Sequence, residues 1–150
     1  MQATTPPKPR VFVDADVLFA GAAAGRQHSA SLVVLHMAEI TLIEALISQQ
    51  VIEECERNLS AKIPAALPAF HLLVSRCLHI VPAPAAADLS PYSNLADPKD
   101  LPILAAALQA NCAWLVTINL RHFQPGHPQV TVLKPGDFVL RVREMLAYLP

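Results

Sequence analysis

Short apolar runs alternate along this chain with longer stretches of helical period. Arg10-Val11-Phe12-Val13 ends on Asp14 and predicts a buried strand running into a turn. Ala15 to Ala24 predicts a helix closed by Gly25, and His28-Ser29 opens a second helix carrying Leu32, Leu35, His36 and Glu39. Thr41 to Ile47 is alternating and β-branched and predicts a second strand. Ser48 is placed to cap a helix from Gln49 to about Ser60, and Pro64 starts another that continues past Phe70 to Arg76. Leu78 to Val81 predicts a third strand, and Pro82, Pro84 and Pro91 mark a loop from Pro82 to Leu95. Asp97-Pro98 begins a helix reaching about Ala110. Ala113 to Thr117 and Val130 to Leu133 read as the last strands, and Pro135-Gly136-Asp137 leads into a final helix ending near Tyr148. Strands alternating with helices predict an α/β fold, a three-layer α/β/α sandwich around a mostly parallel sheet of about five strands. Sites in such sheets lie at the carboxyl ends of strands, where Asp14 and Asn119 fall.

Composition narrows the class. The 150 residues suit one domain, expected over 10–150 behind a disordered Pro-rich tail at 1–9. Hydrophobic residues make up 53% of the chain and charged residues only 15%, which excludes an intrinsically disordered chain. The net charge of −1 excludes a strongly basic nucleic-acid binder. Gln109 and Asn111 interrupt the apolar stretch from Leu101 to Val116, so no membrane span is expected. The start of the chain does not read as a signal peptide. Cys55, Cys77 and Cys112 are odd in number and form no CxxC pair, which fits buried reduced thiols in a cytoplasmic protein.

In a chain so sparing of charge, the placement of the acids carries information. Seven of the twelve fall in three short segments: Asp14 and Asp16; Glu53, Glu54 and Glu56; Asp97 and Asp100. Asp14 is either an N-cap or a ligand, and Asp16 either shares that turn or supports a ligand. At ~100° per residue, Asp100 shares a helix face with Ile103, Leu104, Ala107 and Leu108. Its carboxylate therefore points inward, where it needs donors, a cation or a metal. Asp97 reads as the cap of that helix, with Pro98 at its first position. On the helix after Ser48, Glu53 faces away from the stripe of Val51, Cys55 and Leu59, while Glu54 and Glu56 flank it. Pairing with Lys62 or Arg57 is the ordinary role for such a Glu. If Asp14, Glu54 and Asp100 converge, they repel one another unless a divalent cation neutralises them. Oxygen ligands alone suit Mg²⁺ or Mn²⁺, and the chemistry served is phosphodiester hydrolysis.

These segments also carry a family resemblance. Val11-Phe12-Val13-Asp14-Ala15-Asp16-Val17-Leu18 resembles the opening strand of the PIN-domain family, hydrophobics then D-x-N-V-L, with Asp16 in place of Asn. Ser48 to Leu59 is similar to its S-x-x-v-l-x-E helix, in the register that selects Glu54. Asp97-Pro98-Lys99-Asp100 followed by Leu101 to Ala107 resembles its D-P-x-D-x-x-x-L-x-x-A segment. Leu115-Val116-Thr117-Ile118-Asn119-Leu120-Arg121-His122-Phe123 resembles L-V-T-x-D/N. The family comprises metal-dependent ribonucleases, including the toxins of bacterial toxin–antitoxin pairs. The resemblance implies a metal held by Asp14, Glu54 and Asp100, with Asn119 in the catalytic set. Asp16, Asp97 and Thr117 are supporting residues, Thr117 by orienting a carboxylate or water. Arg121 and His122, with Lys134, are candidates for contact with RNA phosphates. Asn119 stands where many members carry a fourth acid, so it can hold water or phosphate but adds no charge.

The expected function is that of an Mg²⁺- or Mn²⁺-dependent endoribonuclease, a toxin with an antitoxin protein as partner. The alternative is a catalytically weak or inactive PIN-like module that binds RNA or protein. Several apolar helices on a small domain also suggest a homodimer.

Overall fold

The computed structural model describes residues 8–24 and 29–149. Residues 1–7 of the expected tail, together with Gly25 and His28, lie outside the described residues. The chain runs β1 (Arg10–Val13), α1 (Ala15–Ala23), α2 (Ala30–Glu39), β2 (Glu44–Ser48), α3 (Gln49–Lys62) and α4 (Leu67–Cys77). It continues with β3 (Leu78–Val81), α5 (Leu101–Gln109), β4 (Trp114–Val116), β5 (Thr131–Leu133) and α6 (Pro135–Ala147). Short 3₁₀ segments cover Pro64–Ala66, Ala86–Tyr92 and Leu120–Phe123. The five strands form one sheet in the order β3-β2-β1-β4-β5, and every pairing is parallel. Helices on both faces make it a three-layer α/β/α sandwich, as the alternation predicts.

Several boundaries move for local reasons. Thr41 does not begin β2; at φ 65° it occupies the left-handed position that ends α2, where Thr41 N–H donates to Ala38 O and Leu42 N–H to Met37 O. Asn111, at φ 57°, ends α5 in the same way. Ser29 caps α2 through Oγ, which accepts from Leu32 N–H at 3.1 Å. Ser48 stands at the N-cap position of α3 but makes no side-chain cap bond; it is buried as the last residue of β2, paired with Val81. Pro64 winds a 3₁₀ turn before α4 rather than beginning it. The expected loop from Pro82 to Leu95 contains the 3₁₀ turn Ala86–Tyr92. Asp97 to Asp100 form a tight turn, and the α-helix proper begins at Leu101.

The core lies on both sides of the sheet. Four of the five phenylalanines, Phe12, Phe70, Phe123 and Phe138, are fully enclosed, and Trp114 meets Phe138 edge-on at 5.9 Å. Phe19 is the exception and stays partly open. All three cysteines are free and buried, and burial pushes the Cys55 thiol up to about 12. No helix among the described residues is long and apolar enough to cross a membrane.

The strand order has a functional consequence. From β1 the chain builds outward through β2 and β3 on one side, then through β4 and β5 on the other. The reversal falls between β1 and β4, and a crevice at the carboxyl ends of such a strand pair is where open α/β sheets bind ligands.

Candidate active site

Asp14 and Thr117 follow the last residues of β1 and β4, so both stand at that reversal. The ladder carries them there: Val13 pairs with Val116, and Asp14 N–H donates to Val116 O at 3.0 Å. Asp14 is the N-cap of α1, its Oδ1 accepting from Ala15 N–H at 2.8 Å. Its Oδ2 has a different role and accepts from the Thr117 hydroxyl at 2.8 Å. The capping and functional readings of Asp14 are therefore compatible, one for each oxygen.

Asp16 belongs to the same cluster. Its Oδ2 accepts from Ile118 N–H at 3.0 Å and lies 3.2 Å from Thr117 Oγ1. Thr117 has one hydroxyl proton, and the shorter contact assigns it to Asp14. Thr117 Oγ1 in turn accepts from Asn119 N–H at 3.1 Å, which folds the loop after β4 back over the acids. Asp16 Oδ1 is buried with no donor.

Asp100 is buried at the amino end of α5, as the helical face predicts. His122 Nδ1 lies 2.9 Å from its Oδ2, at ion-pair distance but out of line for a hydrogen bond, so that oxygen has no aligned donor. The two residues meet because Asp97 N–H donates to His122 O at 2.7 Å, tying the turn before α5 to the turn after β4. Asp97 itself is exposed and accepts from Lys99 N–H at 3.0 Å, a local turn bond that leaves it outside the buried cluster.

The electrostatics follow from this crowding. Burial pushes the Asp14 carboxyl up to about 7, and the Asp16 and Asp100 carboxylates add to the rise, against the bonds from Thr117 and Ala15. Burial also raises Asp16, opposed by its bonds from Ile118 and Thr117. It raises Asp100 too, opposed by the neighbouring charges of His122 and Lys99. Three desolvated carboxylates, with no aligned donor at Asp16 Oδ1 or Asp100 Oδ2 and only the His122 ring beside the latter, form a site that a cation would stabilise.

Thr117 is fully buried, and its hydroxyl both donates and accepts within this cluster. Thr117→Val keeps the shape but leaves Asp14 Oδ2 and Asn119 N–H without their partner. The substitution is expected to cost about 1–3 kcal/mol in a thermal melt at pH 8, and Thr117→Ser to recover most of it. Equal melting of the Val and Thr chains would refute the bond.

Two clefts open from the cluster and share the wall formed by Ile118 and Asn119. One, of about 290 Å³, lies between α1 and α3, with Asp16 and Phe19 on one side and Glu54, Asn58 and Lys62 on the other. The second, of about 610 Å³, is bordered by Arg121, His122, Gln124 and Lys134 and carries positive charge. Glu54 thus faces the first cleft together with Asp16 and Asn119. Among the described residues, no three His, Cys, Asp or Glu side chains stand close enough to form a ready metal cage. Neither Lys62 nor Arg57 pairs with Glu54 among the described residues, while Glu56 turns to the opposite side and meets His71 Nε2 at 3.2 Å. Asn119 stands exposed at the junction of the two clefts.

Sequence reasoning missed Phe19, Asn58 and Lys62 as lining residues. The signal was present: Glu54, Asn58 and Lys62 recur every fourth residue along α3, and Asp16 and Phe19 share a face of α1. His122, expected as a contact for phosphate, has its nearest charged partner in Asp100.

Comparison with known proteins adds the following. A family model described as "PIN domain" matches residues 10–121. A search of curated proteins found no match. Among solved structures, the chain is similar to a crystal structure of VapBC2 from Rickettsia felis bound to a DNA fragment from its promoter. That match has a TM-score of 0.62 at 18% identity and covers 83% of this chain and 98% of the other.

Proposed function

The chain belongs to the PIN-domain family, and from that premise we propose that it is an Mg²⁺- or Mn²⁺-dependent endoribonuclease, the cytoplasmic toxin of a toxin–antitoxin pair. One observation carries the reading: Asp14, Asp16 and Asp100 are desolvated near one another, with no aligned hydrogen-bond donor at Asp16 Oδ1 or Asp100 Oδ2. The donor set is almost entirely oxygen, which fits a hard divalent cation. Asp14 and Asp100 would hold it, with Glu54 completing the set from α3. The metal, when bound, supplies an activated water and stabilises the leaving oxygen of a phosphodiester.

The remaining residues position the reactants. Thr117 fixes which way the Asp14 carboxylate points, and its bond to Asn119 N–H holds the Asn119 side chain at the mouth of both clefts. There the amide can orient a water or a phosphate oxygen. Arg121 and Lys134 offset the charge of an incoming backbone in the basic cleft. The Rickettsia felis neighbour is a VapBC complex, which supports an antitoxin as this chain's partner. A homodimer remains part of the proposal.

The neutral Asn119 and the lack of a ready three-residue cage among the described residues favour a second reading, a weak or inactive module that binds RNA or protein. One experiment separates the two. Mixed-sequence RNA is incubated with the protein in EDTA, then with excess Mn²⁺ or Mg²⁺. Internal cleavage that appears only with the metal is the expected result. Intact RNA under both conditions, with no heat of Mn²⁺ binding, would overturn the nuclease reading in favour of the second.

A further inference from the structure

The cleft between α1 and α3 contains more than the proposed chemistry requires. Glu54 is its only member assigned to metal, yet Asn58 and Lys62 continue from it at one-turn intervals along α3. Across from them stands Phe19, the one phenylalanine of five that the core does not enclose. Lys62 Nζ lies over the Phe19 ring, 5.6 Å from its centroid, so the ring face on the cleft side is covered by an exposed ammonium that an entering base would displace toward its own phosphate. Ile118, 44% exposed, adds an apolar edge on the side of the acids.

We infer that this cleft is a nucleobase subsite: Phe19 stacks on one base, Asn58 bonds to the base edge, and Lys62 holds the adjoining phosphate. The inference rests on the nuclease reading and gives it a determinant of specificity. An aromatic face accepts any base by stacking. An amide offers one acceptor and two donors, enough to discriminate between base edges. An ammonium at the rim serves as a point charge for phosphate. At about 290 Å³, the cleft lies at the small end of ligand sites, which start near 300 Å³, and suits a single nucleotide. Its neighbour across Ile118 and Asn119 differs in kind, with Arg121 and Lys134 and, as its one ring, the His122 imidazole that is held against Asp100. A strand crossing the acids would therefore have its backbone held on the basic side and one unpaired base read on the α1–α3 side.

The test uses the full chain in two assays. In EDTA, nuclear magnetic resonance titrations compare AMP, CMP, GMP and UMP with ribose 5-phosphate. At least one nucleotide is expected to bind about tenfold tighter than the sugar phosphate, with the largest shifts at Phe19, Asn58 and Lys62. Phe19→Leu, which keeps apolar bulk against the core, is expected to close that gap. With Mn²⁺, fragments of a randomised RNA are sequenced, and Asn58→Asp is expected to change the base frequencies beside the cut. Equal affinity for nucleotides and ribose 5-phosphate, or unchanged base frequencies in Asn58→Asp, would overturn the subsite. Absence of any cleavage would count against the nuclease reading alone, because the metal-free titration still decides the subsite.

Discussion

Asp14→Asn and Asp100→Asn are each expected to lower RNA cleavage about 10³-fold while leaving a folded chain. A loss of that size corresponds to about 4 kcal/mol of transition-state stabilisation, the scale expected when a metal ligand that also fixes geometry loses its charge. Folding survives because the amide replaces the carboxylate atom for atom. In the Asp14→Asn chain the side-chain carbonyl still accepts from Ala15 N–H, and the new NH2 donates to Thr117 Oγ1, whose own proton turns to Asp16 Oδ2 at 3.2 Å. At Asp100, no aligned hydrogen bond is lost at Oδ2, and the groups whose charge faced it, His122 and Lys99, are exposed and can turn to water. Cleavage is measured under the same Mn²⁺ conditions for parent and variants, with melting curves as the control for folding. Cleavage within tenfold of the parent in both variants, at unchanged metal dependence, would remove these carboxylates from the mechanism. Glu54→Gln is the informative companion, since Glu54 faces the cleft rather than the buried cluster.

The parts of this site that are legible in the sequence are those set by one element at a time. An apolar run ending in Asp14 places that residue at a strand end, and the helical period turns Asp100 inward; the structure agrees on both. The parallel sheet follows from alternation alone. What single elements do not encode is which loop folds against which. Asp100 and His122 meet because a backbone bond ties two turns together, and no periodicity announces it. Asp16 reads as secondary because it can share the turn at Asp14, and because it stands where the resembling segment carries Asn. Only the loop after β4, folding back through Ile118 N–H and Thr117, brings it into the cluster. Glu54 illustrates the converse. Its register marks it as a member of the acid set, but α3 directs it into a cleft whose other walls come from α1 and the β4 loop. Segments separated widely in sequence build that cleft, so its aromatic and amide lining emerges only once the layers are assembled.

The parent chain is expected to lose stability as pH rises from about 4 to about 7, and Asp14→Asn to remove much of that loss. The sign follows from which state holds the proton. The Asp14 carboxyl has an ordinary value of 3.8 and is pushed up to about 7 in the fold, first by burial and then by the Asp16 and Asp100 carboxylates. Below pH 4 both states are protonated and the group is neutral toward folding. Between 4 and 7 the folded chain keeps a proton that the unfolded chain has released, so each step upward in pH favours unfolding. Above 7 the loss is complete, on the order of 4 kcal/mol for a shift of this size. An amide at position 14 cannot ionise. The variant is therefore expected to unfold at higher denaturant than the parent at pH 8 in EDTA, with the gap shrinking towards pH 4.5. Mn²⁺ at pH 8 is expected to restore the parent, because a bound cation replaces the missing proton in balancing the carboxylates, and to help Asp14→Asn far less. A parent chain that gains stability between pH 5 and 8 in EDTA, or a variant weaker than the parent at pH 8, would mean that these carboxylates are already balanced by protein donors and need no cation.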